Sequence, residues 1–189
     1  MKPPYPFSGN ISELRTDYDA VTLVDIGGGF GQAIKRLQTE YPSLKGRFIL
    51  QDLPKTINQV DVAQAKKEGF EPMVHNFFNP QTIKGAKYYH LRRILHAWND
   101  GLSIKILEAT CAAMKDTPNY SRLLIHESVL PDVGCGYREA MFDLLMMQGG
   151  GMERTETQWY ELLRKSGFKI VKIWRAEVGT IAVIEAVIA

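Results

Sequence analysis

The sequence predicts an α/β fold: a mostly parallel sheet with helices on both faces and one antiparallel strand near the C-terminus. Three observations carry that expectation. Short β-rich apolar runs alternate with stretches of helical periodicity along most of the 189 residues. The first of these runs ends in an acid and a glycine cluster, a common junction between a parallel strand and a helix. Two β-rich runs then close the chain with no helix between them, which adds an antiparallel strand.

Val21 to Asp25 is the first strand-like run, followed by the glycines and a helical stretch to about Glu40. Arg47 to Gln51 is a second buried-strand pattern, capped by Asp52. Glu71 to His75 is a weaker third, and Ala86 to Leu91 a fourth. Asp100 to Met114 reads as a helix, with Leu102, Ile106, Ala109 and Ala113 on one face and Asn99 or Asp100 as the cap. Arg122 to His126 is a fifth strand, and Arg138 to Met147 is helical. Thr155 and Gln158 form a capping box that opens another helix, ending near Gly167. Lys169 to Trp174 and Thr180 to Val187 are the closing strands, joined by a short hairpin-like connection at Glu177 to Gly179.

Size and composition set the outer limits. A chain of 189 residues holds one full domain, and 45% hydrophobic with 23% charged residues is ordinary globular usage. Residues 20–189 are expected to form that domain, after a Pro-rich polar linker or arm at 1–19. The net charge of +2 is spread without a basic block, which argues against nucleic acid or an anionic membrane as a partner. No secretory signal or apolar run of spanning length is present, so a soluble cytoplasmic protein is expected. Cys111 and Cys135 form no CxxC pair. His75, His90 and His126 lack the spacing of a ligand motif, so no metal site is expected.

The string VDIGGGFG, Val24 to Gly31, has glycines at 27, 29 and 31 in a G-x-G-x-G spacing. Glycines after a buried strand allow a sharp turn and close approach of a ligand to the backbone. A dinucleotide fingerprint would need glycine at position 32, which is Gln32, and no Lys-Ser or Lys-Thr follows for a P-loop. Asp25, before the loop, suits a ligand with an ammonium group, such as S-adenosylmethionine. Asp52, ending the second strand, can accept hydrogen bonds from ribose hydroxyls. The plain alternative is that the glycines make a tight turn and the acids cap helices.

Seven motifs occur in a fixed order: VDIGGGFG from Val24, QDLP from Gln51, HNFF from His75, LRRILHAWND from Leu91, ESVLP from Glu127, DLLMM from Asp143 and ERTE from Glu153. Together they resemble the caffeic-acid-type plant and fungal O-methyltransferases, and most closely the fungal secondary-metabolite branch. The resemblance implies a Rossmann-like class I methyltransferase fold with a seven-stranded sheet. It implies S-adenosylmethionine as cofactor, S-adenosylhomocysteine as product and a phenolic or polyketide-like small molecule as acceptor. His96 takes the place of the general base, flanked by Glu127 and Glu153. The cofactor positions fall on the glycine loop, Asp52, Leu53, Asn76, Phe77 and Arg92. Many members have Asp where this chain has Asn76, so the hydrogen bond is kept there without the charge. Trp98, Asp143, Met146 and Met147 fall at the substrate pocket. The family also forms homodimers through an N-terminal helical domain that closes over the substrate, and that domain is expected to be absent from this chain.

A phenol has a pKa near ~10 and an unperturbed histidine near ~6.5, so His96 would take the proton as the oxygen attacks rather than beforehand. An acid on its other ring nitrogen would fix the tautomer. Duller roles are available for each residue. His96 could cap the helix near Asp100, Glu153 could complement a helix dipole, and Glu127 could be a solvated strand end. Trp98, Trp159 and Trp174 read as packing residues, and the Met141 to Met147 helix as either core or pocket wall. Two other functions remain open: a non-methylating cyclase or pericyclase relative, in which Arg92 and Arg93 could polarise a carbonyl, and a cofactor-binding domain without activity.

Overall fold

The computed structural model describes residues 5–7, 12–15, 17, 19–176 and 179–189. The elements are β1 (Val21–Ile26), α1 (Gln32–Glu40), β2 (Arg47–Asp52), α2 (Pro54–Ile57), α3 (Val62–Lys67), β3 (Glu71–Val74), β4 (Tyr88–Arg92), a 3₁₀ turn (Leu95–Ala97), α4 (Asp100–Met114), β5 (Arg122–Leu130), α5 (Tyr137–Gln148), β6 (Arg154–Thr155), α6 (Glu156–Lys165), β7 (Phe168–Arg175) and β8 (Ile181–Ile188). The main sheet runs β3-β2-β1-β4-β5-β8-β7, with two-residue β6 attached to β5. Every pairing is parallel except those of β8, which lies antiparallel to β5 and β7. The predicted mostly parallel sheet with one antiparallel C-terminal strand is therefore the fold observed. Strand order reverses between β1 and β4, so a crevice opens at their carboxyl ends.

Two apolar layers cover the sheet. On one face α4 and α6 pack Ile106, Leu107, Met114, Trp159 and Leu163 against Val24, Tyr89, Leu91 and Ile125. On the other, Ile34 and Leu37 of α1, with Tyr41 and Phe70, meet Leu23, Leu50, Tyr88 and Leu124. The alternation along β1 and β4 explains the division, since successive side chains point to opposite faces. Tyr5 and Phe7, in the stretch read as a linker or arm, are buried in the α1-side layer, and the Lys87 ammonium reaches Glu13 at 2.6 Å.

Local signals are obeyed where they were strongest. Thr155 and Gln158 make both bonds of the capping box. Asn99, not Asp100, caps α4, its Oδ1 accepting the Leu102 amide at 3.0 Å. Three differences stand out. The short helices α2 and α3 were not expected, because each buries a single residue and shows no periodic face. Strand β5 runs four residues past His126, so Glu127 lies within a strand instead of ending one. Helix α5 buries none of its residues, which removes the core reading for Met141 to Met147. Within the predicted hairpin connection, Glu177 and Val178 lie outside the described residues.

Candidate functional site

The glycine loop hangs from β2. Both Gly27 and Gly28 donate their amides to the Gln51 carbonyl, and Gly29 donates to Asp52 Oδ2 at 2.9 Å. Gly27, Gly29 and Gly31 all have positive φ, which L side chains resist. Gly28 is needed for another reason: a Cβ there would lie 2.3 Å from Asp25 Oδ2. Asp52 also accepts the Leu53 amide on Oδ1 at 2.8 Å, and each carboxylate oxygen keeps a lone pair for a further donor.

Asp25 is fully buried under this loop. Strand alternation sends it to the α1 face with Leu23, where Oδ1 lies 2.8 Å from His90 Nδ1. Its Oδ2 has no hydrogen-bond partner among the described residues. The carboxylate thus meets His90 and packs close under Gly28, while Oδ2 keeps capacity for a further donor. Beyond His90, the His126 imidazole is driven far below the usual histidine range, to about 3, by burial and by neighbouring positive charge.

An aromatic wall borders the loop. Ile94 and Phe77 are the nearest side chains to Gly27, and Phe77, Phe78 and Trp98 meet edge to face with centroids 5.0–6.1 Å apart. Asn76 shapes this corner by accepting the Phe78 amide. Trp98 thus packs against both phenylalanines. Arg92, exposed at the end of β4, faces the α1 side with His90. There it lines a cavity of about 600 Å³ with Arg36, His126 and Phe142. Of the three candidate catalytic residues, only Glu153 borders that cavity.

His96 stands on the 3₁₀ turn at the carboxyl end of β4. The chain leaves β4 through Arg93, the one non-glycine residue with positive φ among those described, at 54°. His96 is buried, and its Nδ1 lies 3.1 Å from Glu153 Oε1 and 3.8 Å from Glu127 Oε2. Glu127 Oε1 receives the amides of Ile94 and Leu95 at 2.7 and 2.9 Å, and more distantly that of His96 at 3.5 Å. Glu153 is fixed from behind, since Asp143 Oδ1 of α5 accepts its amide at 2.8 Å. The three predicted catalytic residues therefore converge, and neither the capping role for His96 nor the solvated-end role for Glu127 is seen. Asn99 caps the helix, while Glu127 and Glu153 are both buried.

The hydrogen bond that His96 donates to Glu153, aided by the nearby Glu127 charge, holds His96 above the usual histidine value against the opposing effect of burial. Burial pushes the Glu127 carboxyl up to about 7, while the His96 charge and the amides it accepts pull the other way. One ligand atom from each residue fits within a 4.8 Å cluster, close enough for a metal ion. The bonds already made run from Nδ1 to Glu153 and from the turn amides to Glu127.

The predicted pocket residues of α5 differ in exposure. Met146 is half-buried, Met147 is exposed, and Phe142, Leu144 and Leu145 of the same helix are also exposed. Three residues of the site had no assigned role in the sequence, Gly28, His90 and Arg154, and Asp100 was read only as a possible helix cap. Arg154 was visible only inside the ERTE motif, and nothing local marked His90 as the partner of Asp25.

Comparison with known proteins places the chain in a family. The O-methyltransferase domain family matches residues 15–169. An O-methyltransferase of Pestalotiopsis microspora is 42% identical over 183 residues, covering 96% of this chain and 44% of that protein. The demethylsterigmatocystin 6-O-methyltransferase of Emericella nidulans is 43% identical over 155 residues, covering 82% of this chain and 72% of that protein. Among solved structures, OxaC in complex with S-adenosylhomocysteine and oxaline superposes with a TM-score of 0.89 at 38% identity, over 98% of this chain and 46% of that one. LepI, a pericyclic-reaction enzyme solved with S-adenosylmethionine, gives 0.88 at 34% identity, over 98% and 47%. The chain thus spans about half the length of most of these relatives. With the family matched across most of its length and these relatives above 30% identity, the chain belongs to the O-methyltransferase family.

Proposed function

We propose that this chain is the cofactor-binding and catalytic part of an S-adenosylmethionine-dependent O-methyltransferase that acts on a hydroxyl of an aromatic or polyketide-like metabolite. The observation that carries the reading is the orientation of His96. With Nδ1 engaged by Glu153, the ring's Nε2 is left to accept the acceptor's proton. Glu153 stabilises the imidazolium that forms, and Glu127 holds the turn by its amides.

The residues suit the cofactor. The Asp52 carboxylate has capacity for ribose hydroxyls, the positive-φ glycines present bare backbone, and Phe77, Leu53 and Asn76 would border the adenine. Asp25 supports the loop from below, and Arg92 flanks the β4 end. S-adenosylmethionine, when bound, supplies an electrophilic methyl group on a sulfonium, so what the protein must add is alignment and a proton acceptor. The acceptor is placed between the His96 turn and α5, whose exposed Met147, Leu144 and Leu145 offer an apolar wall.

The likeness to a pericyclic-reaction enzyme is as strong as the likeness to OxaC, so the fold alone does not choose between methyl transfer and isomerisation. The intact His96-Glu127-Glu153 set favours transfer. The test is product mass after incubation with a panel of phenols and polyketide aromatics. A gain of one methyl group supports the proposal. An isomer, or binding of S-adenosylhomocysteine without turnover on any acceptor, rejects it.

A further inference from the structure

We propose that Arg154 is the positioning residue of the His96 base, a role that rests on the methyl-transfer reading above. Arg154 is 0% exposed, yet it carries a charge, and its partner Asp100 is 56% exposed at the start of α4. A buried guanidinium is costly unless its donors are met, and an apolar side chain of similar volume is often no less stable.

Its Nε and one terminal nitrogen donate to Asp100 Oδ1 at 3.0 and 2.9 Å. The other terminal nitrogen donates to the Leu95 carbonyl at 2.8 Å. The nitrogen shared with Asp100 also reaches the Trp98 carbonyl at 2.8 Å and Ser103 Oγ at 3.2 Å. Every one of these acceptors lies between residues 95 and 103. Leu95 and Trp98 bracket His96, so the guanidinium fork grips the turn on both sides of the base. Ser103 Oγ reaches the same two carbonyls, at 3.4 and 3.3 Å.

The grip has a counterpart. Glu127 takes the amides of the same turn, and Arg154 takes its carbonyls. The segment carrying Arg154 is pressed against the turn as well. Met152 donates its amide to the His96 carbonyl at 2.8 Å, and a Cβ on Gly151 would lie 2.2 Å from that oxygen. Glu153, the partner of the His96 ring, immediately precedes Arg154. One short segment thus sets both the backbone of the base and the carboxylate that orients its ring. It is anchored by β6, whose Arg154 pairs with Val129 of β5. A displacement of about 1 Å at a reacting group can cost about 10²-fold in rate.

A lysine at 154 keeps the charge but cannot span two carbonyls and a carboxylate at once. Arg154→Lys should lower kcat by about 10–10²-fold, with the KM for the acceptor and the affinity for S-adenosylhomocysteine within about 3-fold of the parent. Asp100→Asn, a change on an exposed residue, should act in the same direction by about 3–10-fold, and it carries the test if Arg154→Lys does not fold. Nitrogen-15 spectra of the histidines supply a readout independent of turnover. The parent should hold His96 in one tautomer, with the proton on Nδ1, and Arg154→Lys should average the two. If the parent turns over no acceptor, the methyl-transfer reading fails, while the tautomer comparison still decides the clamp. The clamp is overturned if a folded Arg154→Lys or Asp100→Asn protein keeps the parent kcat and the parent His96 resonances. A purely structural role predicts that result, with only a lower melting temperature.

Discussion

The glycine loop and the His96 turn sit at the same end of the same sheet, yet they are held in opposite ways. The loop is shaped by its own glycine backbone and by two neighbouring residues of β2, the Gln51 carbonyl and the Asp52 carboxylate. The turn is held by side chains 31 to 59 residues away, Glu127 on its amides, Glu153 on the ring and Arg154 on its carbonyls. The loop is therefore a local device for approach to a ligand, and the turn is a long-range device for fixing one imidazole. Binding and chemistry are separable in this site, and substitutions should separate them.

The largest expected effect is at His96. His96→Ala should lower kcat by ~10²–10⁴, with S-adenosylhomocysteine affinity by calorimetry nearly unchanged. Comparable losses of both would join the two regions and break the comparison. Glu153→Gln should lower kcat by about 10²-fold and also move the pH profile. Because Glu153 raises the His96 value, the base is lost as pH falls through that raised value, and the acid limb of kcat/KM should lie above the ordinary histidine value in the parent. Removing the carboxylate should shift that limb to lower pH. A limb that stays in place would mean that another group titrates there.

Asp52→Asn supplies the converse. It should weaken S-adenosylhomocysteine by about 10–10²-fold, the worth of charge-assisted hydrogen bonds to hydroxyls, while kcat at saturating cofactor changes little. Gly28→Ala probes the same region through sterics. The new Cβ meets Asp25 and Leu50, so the loop must shift, and cofactor affinity should fall with the acceptor KM untouched.

The same contrast explains what was legible in the sequence. Glycines at 27, 29 and 31, the Thr155 capping box and the alternation of apolar runs are short-range patterns, and each has the predicted conformation. His96, Glu127 and Glu153 were found only through the order of seven motifs, because nothing within a few residues of any one of them marks its partners. The Asp25–His90 pair went unread for a related reason, since strand parity turns the Asp25 carboxylate to the α1 face, where His90 waits 65 residues further along. Arg154 went unassigned because its partners lie 51 to 59 residues earlier. Helix α5 was ambiguous because helical spacing of apolar residues does not say what covers them.

That ambiguity gives the smallest expected effect in stability and the sharpest test of the acceptor's place. Trp159 is fully buried and donates its indole N–H to the Ser128 carbonyl at 3.0 Å, so Trp159→Ala should cost about 3–5 kcal/mol in a denaturant titration. Leu144, 57% exposed on α5, has no such surroundings, and Leu144→Gln should change stability by no more than about 0.5 kcal/mol. If α5 is the apolar wall for the acceptor, the same change raises the KM for a flat aromatic acceptor by a few fold and leaves S-adenosylhomocysteine binding alone, since removing a pocket contact of this size costs about 1–3 kcal/mol at most. An unchanged KM would move the acceptor off this stretch of α5 and leave the His96 turn as the only part of the site that meets it.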